Sequence, residues 1–129
     1  MNVSTKILAV DDEPDFEFLI RQRFRRQIRE EEFAFRFAHH GEEALSALDA
    51  EPDIDLMLLD INMPVMDGLS LLTELREQQS PVRAIIVSAY GDEERRRRAA
   101  EYGAAEFVTK PVDFDFLKER LRQLHAPLP

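Results

Sequence analysis

The sequence predicts an α/β protein built from five strand–helix units, on three observations. Five short apolar runs recur along the chain, at Ile7–Val10, Phe33–Ala38, Ile54–Leu59, Ala84–Val87 and Ala105–Val108. Segments with helical spacing of apolar residues separate them. Most of the runs are hydrophobic without polar alternation, which points to strands covered on both faces, as in a parallel sheet whose crossovers are helices.

Each element has its own signal. After the first run, Phe16, Leu19, Ile20, Phe24 and Ile28 mark one helical stripe. The second run is the exception to continuous hydrophobicity. Phe33, Phe35 and Phe37 alternate there with Ala34, Arg36 and Ala38, the pattern of an edge strand with one wetter side. Ala44, Leu45 and Leu48 mark the second helix, and Leu71, Leu72 and Leu75 the third. The fourth helix, between Gly91 and Tyr102, is the least apolar and carries Arg95 to Arg98 in a row. On the last helix Phe114, Leu117, Leu121 and Leu124 share a stripe, with Asp113 as the expected N-cap and Val112 as a staple onto Leu117. The closing His-Ala-Pro-Leu-Pro cannot continue that helix, so 125–129 reads as a tail or the start of a linker behind a domain at 5–124.

Composition narrows the function. A chain of 129 residues suits one domain with its own core, and a net charge of −9 disfavours direct binding to nucleic acid. The absence of cysteine excludes disulfides and thiolate metal sites. No apolar run reaches membrane-spanning length, and the one after Lys6 is too short for a signal-peptide core, so a cytoplasmic location without membrane attachment is expected.

Four fragments directly follow apolar runs: Asp11-Asp12, Asp60, Ser88 and Lys110-Pro111. In an open parallel sheet the carboxyl ends of strands gather at one edge, where ligand sites form. Adjacent acids near a third carboxylate repel unless a cation neutralises them; Mg²⁺ suits such oxygen ligands, with Asp12, Asp60 and a carbonyl after Asp60 as donors. The alternative is that Asp11 and Asp12 only cap the first helix. A carboxylate at Asp60 can attack phosphorus to form an acyl phosphate. The Ser88 hydroxyl can donate to a phosphoryl oxygen or cap the next helix, and the small Ala89 leaves room for a phosphate and a water. Lys110 supplies a complementary cation or is a surface lysine, and the following Pro111 permits a cis peptide that would direct it.

Together these fragments resemble the receiver domain of two-component response regulators, over about Thr5 to Leu124. The resemblance rests on Asp11-Asp12, the segment Asp60-Ile-Asn-Met-Pro-Val-Met-Asp-Gly68, Ser88-Ala89 and Lys110-Pro111, in the family's order and approximate spacing. It implies a flavodoxin-like sheet of order 2-1-3-4-5. It also implies that Asp60 is a phosphoacceptor charged by a sensor histidine kinase or a histidine phosphotransfer protein. Asp12, Asp60 and the Asn62 carbonyl would bind Mg²⁺ (or Mn²⁺), with Asp11 contributing through water. Ser88 and Lys110 would hold phosphoryl oxygens, Ser88 and Phe107 would act as the switch pair, and Asn62 and Tyr90 would tune the lifetime of the phosphoryl group.

The implied activity is signalling, with only self-catalysed phosphorylation and autodephosphorylation as chemistry. The implied output is a change in the face formed by the fourth helix, fifth strand and fifth helix, read by a downstream protein, a covalently linked output domain or a second copy of the chain. Arg95 to Arg98 fan around their helix, so a salt-bridged surface stands beside a partner surface as a reading of that run. Two other functions compete. A haloacid dehalogenase-type phosphatase shares the Asp, Mg²⁺, Ser and Lys chemistry but expects its nucleophile in an Asp-x-Asp motif on the first strand. An interaction module of the same fold would switch without phosphate.

Overall fold

The computed structural model describes residues 4–61, 66–89 and 91–125 of the chain. Five strands form one sheet: β1 (Thr5–Val10), β2 (Phe33–Ala38), β3 (Leu56–Ile61), β4 (Arg83–Ser88) and β5 (Glu106–Thr109). Their order is β2-β1-β3-β4-β5 and every neighbouring pair is parallel, the predicted flavodoxin-like arrangement. Six helices connect and follow them: α1 (Pro14–Arg23), α2 (Arg25–Arg29), α3 (Gly41–Ala50), α4 (Met66–Glu77), α5 (Glu93–Glu101) and α6 (Phe114–His125).

The period of two along a strand sends successive side chains to opposite faces, and two apolar layers result. Leu8, Val10, Met57, Leu59, Ile86 and Phe107 face the layer that receives Ala44 of α3, Leu71, Leu72 and Leu75 of α4, and Ala99 of α5. Ile7, Ala9, Leu56, Leu58, Ile85, Val87 and Val108 face the other, which receives Phe16 and Ile20 of α1 and Leu117 and Leu121 of α6. Because both faces are covered, the central strands read as unbroken hydrophobic runs. β2 lies at the edge as expected, with Phe33 and Ala38 buried and Arg36 exposed.

Several boundaries differ from the sequence reading: β1 starts at Thr5, β4 spans Arg83–Ser88, β5 spans Glu106–Thr109, and α6 continues through His125, which the sequence reading assigns to the tail. The third strand begins at Leu56 instead of Ile54 and extends through Ile61, so Asp60 lies inside the strand. Asp55 still donates its backbone N–H to the Lys6 carbonyl at 2.9 Å, so the pairing starts before regular strand geometry does. The single first helix is bent into α1 and α2 at Phe24 (φ −105°, ψ 15°). The Phe24 and Ile28 amides keep their bonds to the Ile20 and Phe24 carbonyls, both at 2.9 Å, on either side of the bend. It coincides with the Phe24 ring, which is fully buried edge-on against Phe33, Phe35 and Phe114. Of the phenylalanines on the first helical stretch, Phe18 is the exposed one, at 67%.

The last two helices differ in how firmly they are held. In α6 the Asp113 carboxylate accepts from the Phe116 amide at 3.1 Å, as the capping expectation required, and Val112 packs on the layer containing Leu117. Arg120 pairs with Glu106 at 2.8 Å, Arg122 pairs with Glu32 at 2.5 Å, and Arg83 donates to the Leu124 carbonyl at 2.9 Å. In α5 only Ala99 is buried. The α5 helix is capped by Asp92, which accepts from the Arg95 amide at 2.9 Å, and the chain leaves it through Gly103 at φ 96°, a left-handed conformation that suits glycine.

The buried aromatic junction makes a direct test. Phe24→Ala should lower unfolding free energy by about 3–5 kcal/mol, whereas Phe18→Ala should change it by no more than about 0.5 kcal/mol. Urea denaturation of the two variants checks this, and equal losses would contradict the packing.

Candidate functional site

Strand register alone carries the sequence-predicted residues to one edge. Val10 is opposite Leu59, so the next residues, Asp11 and Asp60, follow side by side. Ile61 is opposite Ser88 and Ser88 is opposite Thr109, which immediately precedes Lys110. The Lys110 amide donates to the Ser88 carbonyl at 2.8 Å, extending the β4–β5 pairing one residue past the strand. The Lys110–Pro111 peptide is cis.

Asp60 is the centre of this edge. Its side chain is wholly buried, and Lys110 Nζ stands 2.9 Å from its Oδ1. β5 lies two strands from β3, about 10 Å at ordinary inter-strand spacing, so only a long side chain closes that gap. The contact is an ion pair by distance. Neither Asp60 oxygen receives a well-aligned hydrogen bond among the described residues. Burial pushes the Asp60 carboxyl above the usual carboxylate range; Lys110 pulls it back down, while Glu13 and Asp12 add repulsion.

Asp11 is 7% exposed and its Oδ1 accepts from the Glu13 amide at 3.2 Å. Burial first, and then the charge of Asp60, raise its carboxyl to about 7. Asp12 is exposed. Neither acid caps α1: its N-cap is Glu13, which makes no side-chain capping bond. Ser88 is 1% exposed, and since Asp92 caps α5 the capping role considered for Ser88 is taken by another residue. Ala89 beside it is exposed. Phe107 is buried at 8% on the α5 side of β5. The expectations for Asn62 and Tyr90 lie outside the described residues.

Two contributors were not singled out from sequence. Glu13 adds to the charge felt by Asp60, and its position as the third consecutive acid was the available signal. Thr109 packs so closely on Gly91 that a Cβ there would lie 2.8 Å from Thr109 Cγ2 and nearer still to its Oγ1. Only a glycine lets the loop after β4 lie that close to the strand carrying Lys110.

The edge therefore gathers more negative charge than its one lysine compensates. Among the described residues no three acidic or histidine side chains stand together as a preformed metal cluster. The donor chemistry nonetheless fits a hard divalent cation: the carboxylates are oxygen ligands, the Asp60 oxygens are buried without aligned donors, and the mutual repulsion of Asp11 and Asp60 is what a cation would relieve.

Comparison with known proteins identifies the family. Residues 7–122 match the family described as Response regulator receiver domain. The chain belongs to that family. This receiver domain is 32% identical to the regulatory protein AtoC of Escherichia coli K12, an alignment covering 99% of this chain and 30% of AtoC. It is 38% identical to the transcriptional regulatory protein CpxR of Klebsiella pneumoniae, covering 92% of this chain and 48% of CpxR. It thus spans less than half the length of these curated relatives. The Francisella response regulator 1452 receiver domain superposes with a TM-score of 0.79 at 31% identity, covering 94% of this chain and 96% of that one. The CheX-CheY-BeF3-Mg complex from Borrelia burgdorferi gives 0.81 at 31% identity, covering 97% and 92%. Among the described residues of the receiver domain, no helix is long and apolar enough to cross a membrane.

The raised Asp11 carboxyl yields a signed pH dependence. Between its ordinary value of 3.8 and about 7 the folded protein holds a proton that the unfolded chain releases, so stability from this site falls as pH rises through that window. Asp11→Asn should therefore stabilise the cation-free protein at pH 8 by about 1–3 kcal/mol, and by clearly less at pH 5.5. Thermal melts at the two pH values check this; a loss of stability at pH 8 would refute the repulsive reading.

Proposed function

We propose that this receiver domain accepts a phosphoryl group on Asp60 from a sensor histidine kinase or a histidine phosphotransfer protein. The observation that carries the reading is the buried Asp60 carboxylate with the Lys110 ammonium 2.9 Å away and Ser88 on the neighbouring strand. An Asp60 oxygen attacks phosphorus, the P–N bond of the donor phosphohistidine breaks, and the imidazole departs with the bonding pair. Lys110 and the Ser88 hydroxyl hold the phosphoryl oxygens as charge shifts between donor and acceptor. Asp12, Asp60 and the Asn62 carbonyl would hold Mg²⁺, with Mn²⁺ as a substitute and Asp11 acting through water. The bound cation screens the approach of two anions. Relatives support this: the Borrelia complex contains beryllium fluoride and magnesium, and so does a Thermotoga maritima response regulator structure 34% identical to this chain at a TM-score of 0.74.

The chain acts as a signalling domain whose chemistry is its own phosphorylation and dephosphorylation, in the cytoplasm. Residues 5–124 form the receiver, and 125–129 a tail or the start of a linker. Phosphorylation adds roughly −1.5 to −2 charges, and Ser88 and Phe107 relay the change to the α5/β5/α6 face. That face addresses a downstream protein, a linked output domain or a second copy of the chain. Coupling of about 1–3 kcal/mol is typical, against about 5.5 kcal/mol for a complete two-state reversal. A partial shift completed by a partner follows.

Incubation with Mg²⁺ and acetyl phosphate, followed by intact mass, tests the acceptor. One phosphoryl group should appear on the wild type and none on Asp60→Asn. Steady phosphate release from varied esters would favour a phosphatase, and no adduct would favour a phosphate-independent module. Mg²⁺ should also raise the melting temperature more at pH 8 than at pH 5.5, because it competes with the proton on Asp11. An equal or larger shift at pH 5.5 counts against the carboxylate site. In this reading Asn62 and Tyr90 set the lifetime of the acyl phosphate, Tyr90 by shielding it. Tyr90→Ala should then dephosphorylate faster, and a rate equal to or slower than wild type overturns that role.

A further inference from the structure

We infer that Arg96 is a positioning residue that ties α5 to the strand carrying Phe107 and Lys110, and that this tie must yield for α5 to move; its signalling role rests on Asp60 being the phosphoacceptor. Of the four consecutive arginines of α5, Arg95, Arg96 and Arg97 have different partners. Arg95 pairs with Asp92, and Arg97 pairs with Glu101 at 2.7 Å and Glu94 at 3.4 Å, all on or beside the same helix. Arg96 instead reaches away from it. Its Nη2 donates to Thr109 Oγ1 at 2.5 Å, its Nε to the Gly91 carbonyl at 3.1 Å, and its Nη1 approaches the Phe107 carbonyl at 3.5 Å. The guanidinium carbon lies 5.0 Å from the centroid of the Phe107 ring.

One planar group thus joins three pieces of backbone: the loop after β4, the body of β5 and the first turns of α5. A guanidinium has the donors to do this at once, whereas an ammonium acts as a single point charge. Two of the pieces border the site. Thr109 adjoins Lys110, and Gly91 is in close contact with Thr109 in the loop that follows Ser88. The tie matters because α5 has little else beyond an exposed bond from Arg76 of α4 to the Glu101 carbonyl at 3.2 Å. Ala99 is its one buried residue, while α6 inserts Leu117 and Leu121 and carries further ion pairs. A helix with few buried apolar contacts opens locally at low cost, so a modest polar clasp decides its position. Any displacement of the Phe107 ring or of the Thr109–Lys110 segment changes the contacts that Arg96 makes.

Hydrogen exchange on the 129-residue chain tests this with Arg96→Met, which keeps the stem over Phe107 but removes the donors, and with Arg96→Lys, which restores only the charge. In the absence of Mg²⁺, the α5 amides of Arg96→Met should exchange about three- to tenfold faster than wild type. Exchange in α6 should be unchanged, and Arg96→Lys should fall between. With Mg²⁺ and beryllium fluoride as the phosphoryl stand-in, wild-type α5 should change its exchange, and Arg96→Met should lose most of that difference. Unchanged α5 exchange in cation-free Arg96→Met, or a ligand-induced difference as large as wild type's, overturns the proposal. No beryllium fluoride effect in the wild type would overturn the phosphoacceptor reading and the signalling role with it, while the cation-free comparison still decides the tie.

Discussion

A carboxylate buried at the carboxyl edge of a parallel sheet is the constraint around which this molecule is arranged. Asp60 lies within β3, flanked by β1 and β4, with no exposed side-chain surface. A lone buried charge is costly, and a single ammonium two strands away is its main compensation. That compensation depends on direction as well as distance. Because β1, β3, β4 and β5 all run the same way, Asp11, Asp60, Ser88 and Lys110 all emerge at one edge. Antiparallel neighbours would send half of them to the opposite end.

The same edge carries an excess of negative charge. Asp11, Asp12, Glu13 and Asp60 outnumber Lys110, and the carboxyls of Asp11 and Asp60 are both pushed upward, chiefly by burial. A hard divalent cation held by these oxygens would relieve the repulsion between them. Of the helices that follow β4 and β5, α6 is held by its buried leucines and its ion pairs, whereas α5 has Ala99, the reach of Arg96 and the Arg76 bond to the Glu101 carbonyl. Differences in docking of this kind separate an element that holds a fold from one that can move within it.

Much of this was legible in the residues. The five apolar runs and the helical stripes between them mapped onto the observed elements because burial on both faces leaves a strong periodic signal. The alternation at Phe33, Phe35 and Phe37 correctly marked β2 as an edge strand. Boundaries were less legible: Ile54 is buried and apolar yet precedes the strand, and Asp60 is polar yet lies inside it. Hydrophobicity reports burial, and a buried functional acid breaks the correlation. The bend at Phe24 had no proline or glycine to announce it. The role of Arg96 was hidden among identical neighbours, since sequence records four arginines and not which one turns toward β5.

By itself, then, the sequence determined the fold class, the parallel arrangement and the set of residues that meet at one edge. Those follow from periodicity, from the order of the elements and from motif chemistry, all of which are local along the chain. Tertiary structure decided how the charges balance and which helix is loosely held: the 2.9 Å approach of Lys110 to Asp60, the close packing of Gly91 on Thr109 and the clasp of Arg96 over Phe107. Each of these joins residues on different elements, and the energy of such contacts depends on distances and burial that no local pattern encodes.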